Sequence, residues 1–278
     1  MEQCITIESL RHARNTLGNV GFVPTMGFLH EGHLSLVRRA KAENDAVIVS
    51  IFVNPAQFGP GEDFETYPRS LEQDVALLAK EGVDIVFTPK AGDIYPQNYV
   101  TEVSVKGVAT QLEGASRPGH FTGVATIVTK LFNIVQPQKA YFGQKDAQQC
   151  AVIKRFVADL NIPVTIITVP TWREKDGLAS SSRNVRLNPE ERAKAPALYK
   201  ALQRAQSLFQ KGERDRNVLE KAIRDTLKQN NIEKIDYAKI VDPLTFQEVN
   251  PVSESGIALL AVPFSQARLI DNLPLALE

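Results

Sequence analysis

The stretch Val20-Gly-Phe-Val-Pro-Thr-Met-Gly-Phe-Leu-His-Glu-Gly-His33 decides the fold. Its opening, Val20–Pro24, is short, apolar and rich in β-branched and aromatic residues, which reads as a strand. From His33 to Glu43 the period changes: Leu34, Leu36, Val37 and Ala40 recur at helical spacing. Ala46–Val53 (AVIVSIFV) then runs apolar on both faces, as a strand inside a parallel sheet does. The alternation continues. Ser70–Glu81 predicts a helix with Ser70 as N-cap, and Val83–Thr88 a strand. Thr122–Val135 reads as a helix because Val124, Ile127, Val128, Leu131 and Phe132 share one stripe. Lys139–Phe142 follows as a strand, Ala147–Leu160 as a helix and Val164–Val169 as a last strand. Strands alternating with helices give an α/β fold, a parallel sheet covered on both faces.

The character changes after Asn184. Asn188-Pro189-Glu190-Glu191 opens a helix, with Asn as N-cap, Pro at N1 and Glu at N3. Leu198, Ala201, Leu202, Ala205, Leu208 and Phe209 extend an apolar stripe from that start to Lys211-Gly212. Asn217–Lys228 makes a second helix, and Asp236–Val241, Ile257–Val262 and Ala267–Leu273 read as hairpin-like strands. The expected division is therefore 1–184, a larger α/β domain, and 185–278, a smaller α+β domain.

Lys and Arg together number 32, as do Asp and Glu, so the 278-residue chain has no net charge. Such a chain exerts no long-range pull on nucleic acid or on anionic membranes, and neither is expected as a partner. Cys4 and Cys150 form no CxxC pair and read as free thiols of a reducing compartment. The first fifteen residues carry no apolar signal segment, and no run approaches the length of a membrane span. The reading is a cytoplasmic protein.

Of four histidines, His30 and His33 sit at the end of the first strand and the start of the first helix. Open α/β sheets bind ligands there, outside the carboxyl ends of their strands. A helix N-terminus adds unpaired N–H groups for phosphate, and Gly32 lets the backbone approach a ligand. The pair could instead only cap the turn. It could also hold a metal, although Glu31 is the one further ligand nearby. No GxGxxG follows the strand, and Gly114 to His120 has Walker-like glycines without the Lys-Ser/Thr ending.

Pro24-Thr-Met-Gly-Phe-Leu-His-Glu-Gly-His33 resembles the HxGH signature of the nucleotidyltransferase superfamily, and in its longer form is similar to the pantothenate synthetase (pantoate–β-alanine ligase) family. Four segments agree in order and spacing: Phe52-Val-Asn-Pro-Ala-Gln-Phe58, Tyr67-Pro-Arg69, Arg117-Pro-Gly-His-Phe-Thr-Gly123 and Phe142-Gly-Gln-Lys-Asp-Ala-Gln-Gln149. Asp176-Gly-Leu-Ala-Ser-Ser-Ser-Arg-Asn184 resembles the second ATP signature of the superfamily. Three positions depart from the family pattern: Ser180 replaces Met, Gln144 replaces Glu, and Trp172 replaces a smaller aliphatic residue near the adenine.

The resemblance implies a Rossmann-like nucleotidyltransferase domain with a C-terminal lid, assembled as a homodimer. It implies ATP-dependent condensation of (R)-pantoate with β-alanine through a pantoyl-adenylate, releasing pyrophosphate and AMP, with Mg²⁺ carried on the ATP phosphates and no metal held by the protein. Carried over residue by residue, it assigns His30, His33, Lys145 and Arg183 to catalysis. ATP binding goes to Met26, Gly27, Phe28, Leu29, His30, Glu31, Gly32, His33, Gly143, Gln144, Lys145, Asp146, Trp172, Ser180, Ser181, Ser182 and Arg183. Gln57 and Gln149 are expected at the pantoate and β-alanine positions, with Asn54 assisting. Asp146 is open to three roles: ribose ligand, orienter of Lys145 or helix cap. Arg117 and His120 are open to phosphate binding or loop anchoring. The rival readings are another HxGH nucleotidyltransferase, including a tRNA-charging fragment, and a nucleotide sensor without catalysis. Neutral charge and the lack of an anticodon-binding region argue against tRNA. Retention of His30, His33, Lys145 and Arg183 together argues against a sensor.

Overall fold

A computed structural model of the chain describes residues 1–253 and 255–276. They form two compact units, 1–143 with 148–170, and 144–147 with the chain from 171 onward.

The first unit is built from β1 (Glu2–Cys4), α1 (Ile7–Arg14), β2 (Val20–Thr25), α2 (Glu31–Glu43), β3 (Ala46–Ile51), α3 (Leu71–Lys80), β4 (Ile85–Phe87), the single turns α4 (Ala91–Ile94) and α5 (Glu113–Ser116), α6 (His120–Val135), β5 (Lys139–Gly143), α7 (Ala147–Asp159) and β6 (Thr165–Val169). The six strands pair in parallel in the order β1-β4-β3-β2-β5-β6. Successive side chains of a strand point to opposite faces, and the two cores divide on that period. Ala46 and Ile48 pack in one core with Leu10 of α1, Val128 of α6 and Ile153 of α7. Val47 and Val49 pack in the other with Val37 of α2 and Leu78 of α3. From β2 the chain steps outward to β3 and β4, then returns to the opposite flank for β5 and β6. The switch point lies between β2 and β5, whose carboxyl ends are Thr25 and Gly143.

The expected strands and helices are present, with ends displaced by one to three residues. Ser70 stands at the N-cap of α3 but makes no side-chain cap bond; with ψ at 61° it is not extended, as a capping residue usually is. β1 and α1 go beyond the sequence reading. β1 is too short for a period to show, and α1 is started by a reciprocal pair, Thr6 and Ser9.

The second unit carries α8 (Pro189–Lys194), α9 (Ala197–Gln210), α10 (Arg216–Gln229) and the antiparallel sheet β7 (Tyr237–Val241), β8 (Ser255–Pro263), β9 (Arg268–Ala276). Asn188 and Glu191 form the anticipated capping box. The stripe that reads as one long helix is broken, however, because Pro196 has no N–H to donate and its ring crowds the carbonyl four residues back; α9 restarts after it. Leu198, Ala201, Leu202, Ala205 and Phe209 of α9 join Leu219, Ile223 and Leu227 of α10 over the sheet residues Ala238, Ile240, Ala258 and Leu260. The contact boundary falls at 170/171, whereas the sequence reading divides the chain at 184/185. Residues 171–184 belong with the second unit because Leu178 sits in its core and Arg173 pairs with Asp271 of β9.

Among the described residues no helix is long and apolar enough to cross a membrane. Cys4 and Cys150 are buried free thiols.

Candidate functional site

The turn after β2 is an unusual piece of backbone. Gly27 has φ +82° and Phe28 φ +52°, and a side chain in this left-handed region is strained unless its surroundings hold it. Asp74 of α3 does so. Its carboxylate accepts from Phe28 N (2.8 Å) and Leu29 N (2.7 Å) at 2% exposure. Burial raises the carboxyl's pKa, opposed by those two backbone bonds. A Cβ on Gly27 would meet Asp74 Oδ2 at 2.9 Å, so glycine is required for the approach.

The turn delivers His30 and His33 to the first turn of α2. His30 is the N-cap, its Nδ1 accepting from Gly32 N at 3.1 Å. His33 Nδ1 accepts from His30 N at 3.4 Å. In that arrangement the Nε2 atom of each ring is the one turned from its backbone partner. The ring centroids are 4.1 Å apart, a separation at which two imidazolium cations would repel. The pair caps the helix. Met26 lies before the turn. Glu31 is turned aside to Arg38 (2.9 Å).

The second cluster of the first unit surrounds the 3₁₀ turn Pro55–Gln57. Asn54, 1% exposed, donates to Gln57 Oε1 (3.1 Å) and Gly123 O (3.1 Å) and accepts from Tyr95 Oη (2.7 Å). Gln57 Nε2 reaches Met26 Sδ at 3.1 Å. Asn54 and Met26 thus both touch Gln57. Arg117 makes a two-bond pair with Glu62 (2.8 and 2.6 Å), and its Nη1 lies 3.2 Å from His120 Nε2, while His120 Nδ1 lies 2.9 Å from Gln57 O. Those contacts tie the segments around Gln57, Glu62 and Arg117–His120 together. Of the paired glutamines on α7, Gln148 is fully engaged, donating to Val108 O and Gln111 O and accepting from Glu113 N. Gln149 is half-buried.

In the second unit, Gln144–Asp146 form one 3₁₀ turn. Lys145 Nζ stands 3.6 Å from Asp146 Oδ1. Residues 172–180 fold back on themselves: Arg173 bridges Ala179, and Ser180 N donates to Trp172 O at 3.0 Å. The hairpin hands the chain to Ser181, whose hydroxyl caps the 3₁₀ turn Ser182–Arg186 by accepting from Arg183 N. Lys145, Ser181, Asn184 and Asp271 line one cavity of about 10 Å³. In the first unit, Gly143 closes β5, and its carbonyl receives Cys150 Sγ at 3.3 Å. Among the described residues no three His, Cys, Asp or Glu side chains are grouped to hold a metal ion.

A family model described as Pantoate-beta-alanine ligase matches residues 2–274. The chain belongs to the pantoate-beta-alanine ligase family. It is 61% identical over 270 residues to the pantothenate synthetase of Gluconobacter oxydans, covering 97% of this chain and 98% of that one. The crystal structure of pantothenate synthetase from Thermus thermophilus superposes with a TM-score of 0.95 at 48% identity, covering 99% of this chain and all of that one. The ligase of Francisella tularensis, solved in complex with β,γ-ATP and β-alanine, gives 0.82 at 39% identity, over 98% and 97% of the two chains. The activity of this ligase is the joining of pantoate to β-alanine.

Within the ligase, the three departures from the expected pattern have visible settings. Gln144 uses its amide N–H on Asn272 Oδ1 (3.0 Å), a bond that a carboxylate at 144 has no proton to make. Ser180 is buried in the hairpin, and Trp172 is 37% exposed with its carbonyl taken by Ser180. Sequence reading missed Asp74, Asp271 and Asn272. Asp74 lies in an amphipathic helix, where an acidic residue reads as solvated surface. Asp271 and Asn272 lie in an apolar strand, where two adjacent polar residues were the available signal.

Proposed function

We propose that the ligation runs in two steps on ATP. A carboxylate oxygen of (R)-pantoate attacks the α-phosphorus, the bond to the bridging oxygen breaks, and pyrophosphate leaves pantoyl-adenylate behind. The amine of β-alanine, having shed a proton, then attacks the acyl carbon; the bond from acyl carbon to phosphate oxygen breaks, AMP leaves, and the amide of pantothenate remains. The observation that carries this reading is the placement of His30 and His33 in the first turn of α2, at the carboxyl end of β2, with each Nδ1 accepting from a backbone N–H group. Their Nε2–H groups suit phosphate oxygens on which negative charge grows during attack, and donors aimed beforehand at such charge are the largest single contribution to catalysis of this kind.

Lys145 and Arg183 supply positive charge for phosphate, with Ser181 and Ser182 as hydroxyl donors. Main-chain groups of Met26–Gly32, Gly143–Gln144 and the Trp172–Ser180 hairpin cradle the nucleotide, and Asp146 orients Lys145. Mg²⁺ prefers oxygen ligands, so it would enter bound to the phosphates of ATP, with no ligand from these side chains, and would neutralise part of the phosphate charge. Gln57 and Gln149 read the hydroxyls and carboxylate of pantoate, since an amide both donates and accepts; Asn54 aims Gln57. The acyl-adenylate is easily hydrolysed, and residues 185–278 act as the lid that excludes water. The active form is a cytoplasmic homodimer, for which sedimentation at twice the chain mass is the check.

The decisive experiment measures pyrophosphate and AMP with ATP, Mg²⁺ and pantoate, with and without β-alanine. Pyrophosphate is expected with pantoate alone, and AMP with pantothenate only when β-alanine is added. Pantothenate formation that releases ADP and phosphate instead would overturn the adenylate route.

A further inference from the structure

Lys145 must be aimed, yet it stands on a single 3₁₀ turn, Gln144–Asp146, and turns of that length have little stability of their own. The support comes from a residue 127 positions away in sequence. Asn272 of β9 donates through Nδ2 to Gln144 O (2.9 Å) and to Lys145 O (2.8 Å), and its Oδ1 accepts from Gln144 Nε2 (3.0 Å). At 2% exposure the amide is engaged on both sides. Few side chains can do this. Two carbonyls require two donors and the Gln144 amide requires an acceptor; aspartate lacks the donors and an aliphatic residue lacks everything.

Asn272 is itself held. Its N–H donates to Asp271 Oδ1 (2.8 Å), and the Asp271 carboxylate, 3% exposed, is gripped by both Arg173 terminal nitrogens at 2.7 and 2.9 Å. Arg173 also donates to Asn272 O (3.3 Å) and Gly177 O (3.1 Å), and its guanidinium lies 3.7 Å over the Tyr199 ring. A rigid, bidentate charged pair thus anchors the strand from which Asn272 works, and the same pair pins the hairpin that leads to Ser181 and Arg183.

We infer that Asn272 is a positioning residue for the ligase reaction: it touches no substrate and sets the direction of Lys145 by clamping the two carbonyls of its turn. The inference rests on the reading of Lys145 as a phosphate ligand, and the test separates the two. Pantoate-dependent pyrophosphate release is measured for the full chain, Lys145→Ala, Asn272→Ala and the double variant. Misplacing a catalytic group by about an ångström costs about 10²-fold, so Asn272→Ala should lose 10- to 100-fold in kcat by that scale, with KM for pantoate held within about twofold. Because Asn272 acts through Lys145, the double variant should be no slower than Lys145→Ala alone, a non-additivity that general loss of stability does not produce. Asn272→Ser, which keeps one donor, should fall between wild type and Asn272→Ala, and it carries the same cycle if the alanine chain does not fold. Lys145→Ala turning over like wild type sinks the phosphate-ligand reading and the inference with it. Lys145→Ala inactive beside a fully active Asn272→Ala, or losses that multiply in the double variant, sinks the inference alone.

Discussion

Asp74 illustrates how much one buried carboxylate can determine. It satisfies two consecutive N–H groups of a strained turn, one of them on a residue with positive φ. Asp74→Asn keeps the shape and loses one acceptor, leaving a buried N–H opposite an NH₂. Leaving such a donor unpaired costs about 1–3 kcal/mol, so the urea midpoint should drop accordingly and pyrophosphate release should fall as His30 and His33 lose their placement. Acid should not open this turn through Asp74. Its folded carboxyl holds its proton more tightly than the unfolded one, so protonation favours the folded state as pH falls. Glu62 is the opposite case. The hydrogen bond from Arg117 lowers its pKa against the opposing effect of burial, so its contribution is present above the ordinary carboxylate range and lost as pH falls through its folded value. Protection of residues 59–69 against hydrogen exchange should therefore weaken as pH falls below the ordinary carboxylate range; protection in Glu62→Gln equal to that of the wild-type chain at neutral pH would show that the Glu62–Arg117 pair does not hold this loop. At this scale the supports were not legible. His30, His33, Lys145 and Arg183 are proposed from contiguous motifs, whereas Asp74 and Asn272 act only through partners 45 and 127 residues away.

Elements meet at fixed distances, and Gly123 marks the tightest approach near Gln57. A Cβ there would lie 2.1 Å from Ala56 O and 2.6 Å from Gln57 N, both backbone atoms that cannot swing aside. Gly123→Ala must push α6 away from the turn that carries Gln57. Overpacking of this kind costs about 1–3 kcal/mol, and KM for pantoate should rise by a larger factor than kcat falls. A variant with unchanged KM would separate the 55–57 turn from pantoate recognition. The elements themselves were readable because burial on both faces of β3 and the one-sided stripe of α6 write their periods into the sequence. The break at Pro196 was readable in principle, since a proline inside a helical stripe is a stop, but the stripe continues on the same face after it and hid the interruption.

For the whole molecule, β-α alternation announced the parallel sheet and the later helices with hairpin strands announced the smaller unit. What stayed hidden was the assignment of 144–147 and 171–184 to that smaller unit, because it depends on side-chain contacts with Asp271 and Asn272 of β9, and contacts across a hundred residues leave no local period. The consequence can be tested on the intact chain. Its one tryptophan, Trp172, belongs to the second unit and is partly exposed, so its emission reports that unit without labelling. If the adenine lies beside the 172–180 hairpin, ATP with Mg²⁺ should shift or quench that emission with saturation. Lys145→Ala should weaken the titration about 10- to 100-fold, the scale of a lost hydrogen bond to a charged group. His33→Ala, a change in the first unit, should weaken the same signal by a similar factor if His33 serves the same nucleotide. An emission titration unmoved by His33→Ala would mean that the histidines and the Trp172 hairpin do not share one ATP, and the phosphate roles assigned to His30 and His33 would have to be given up.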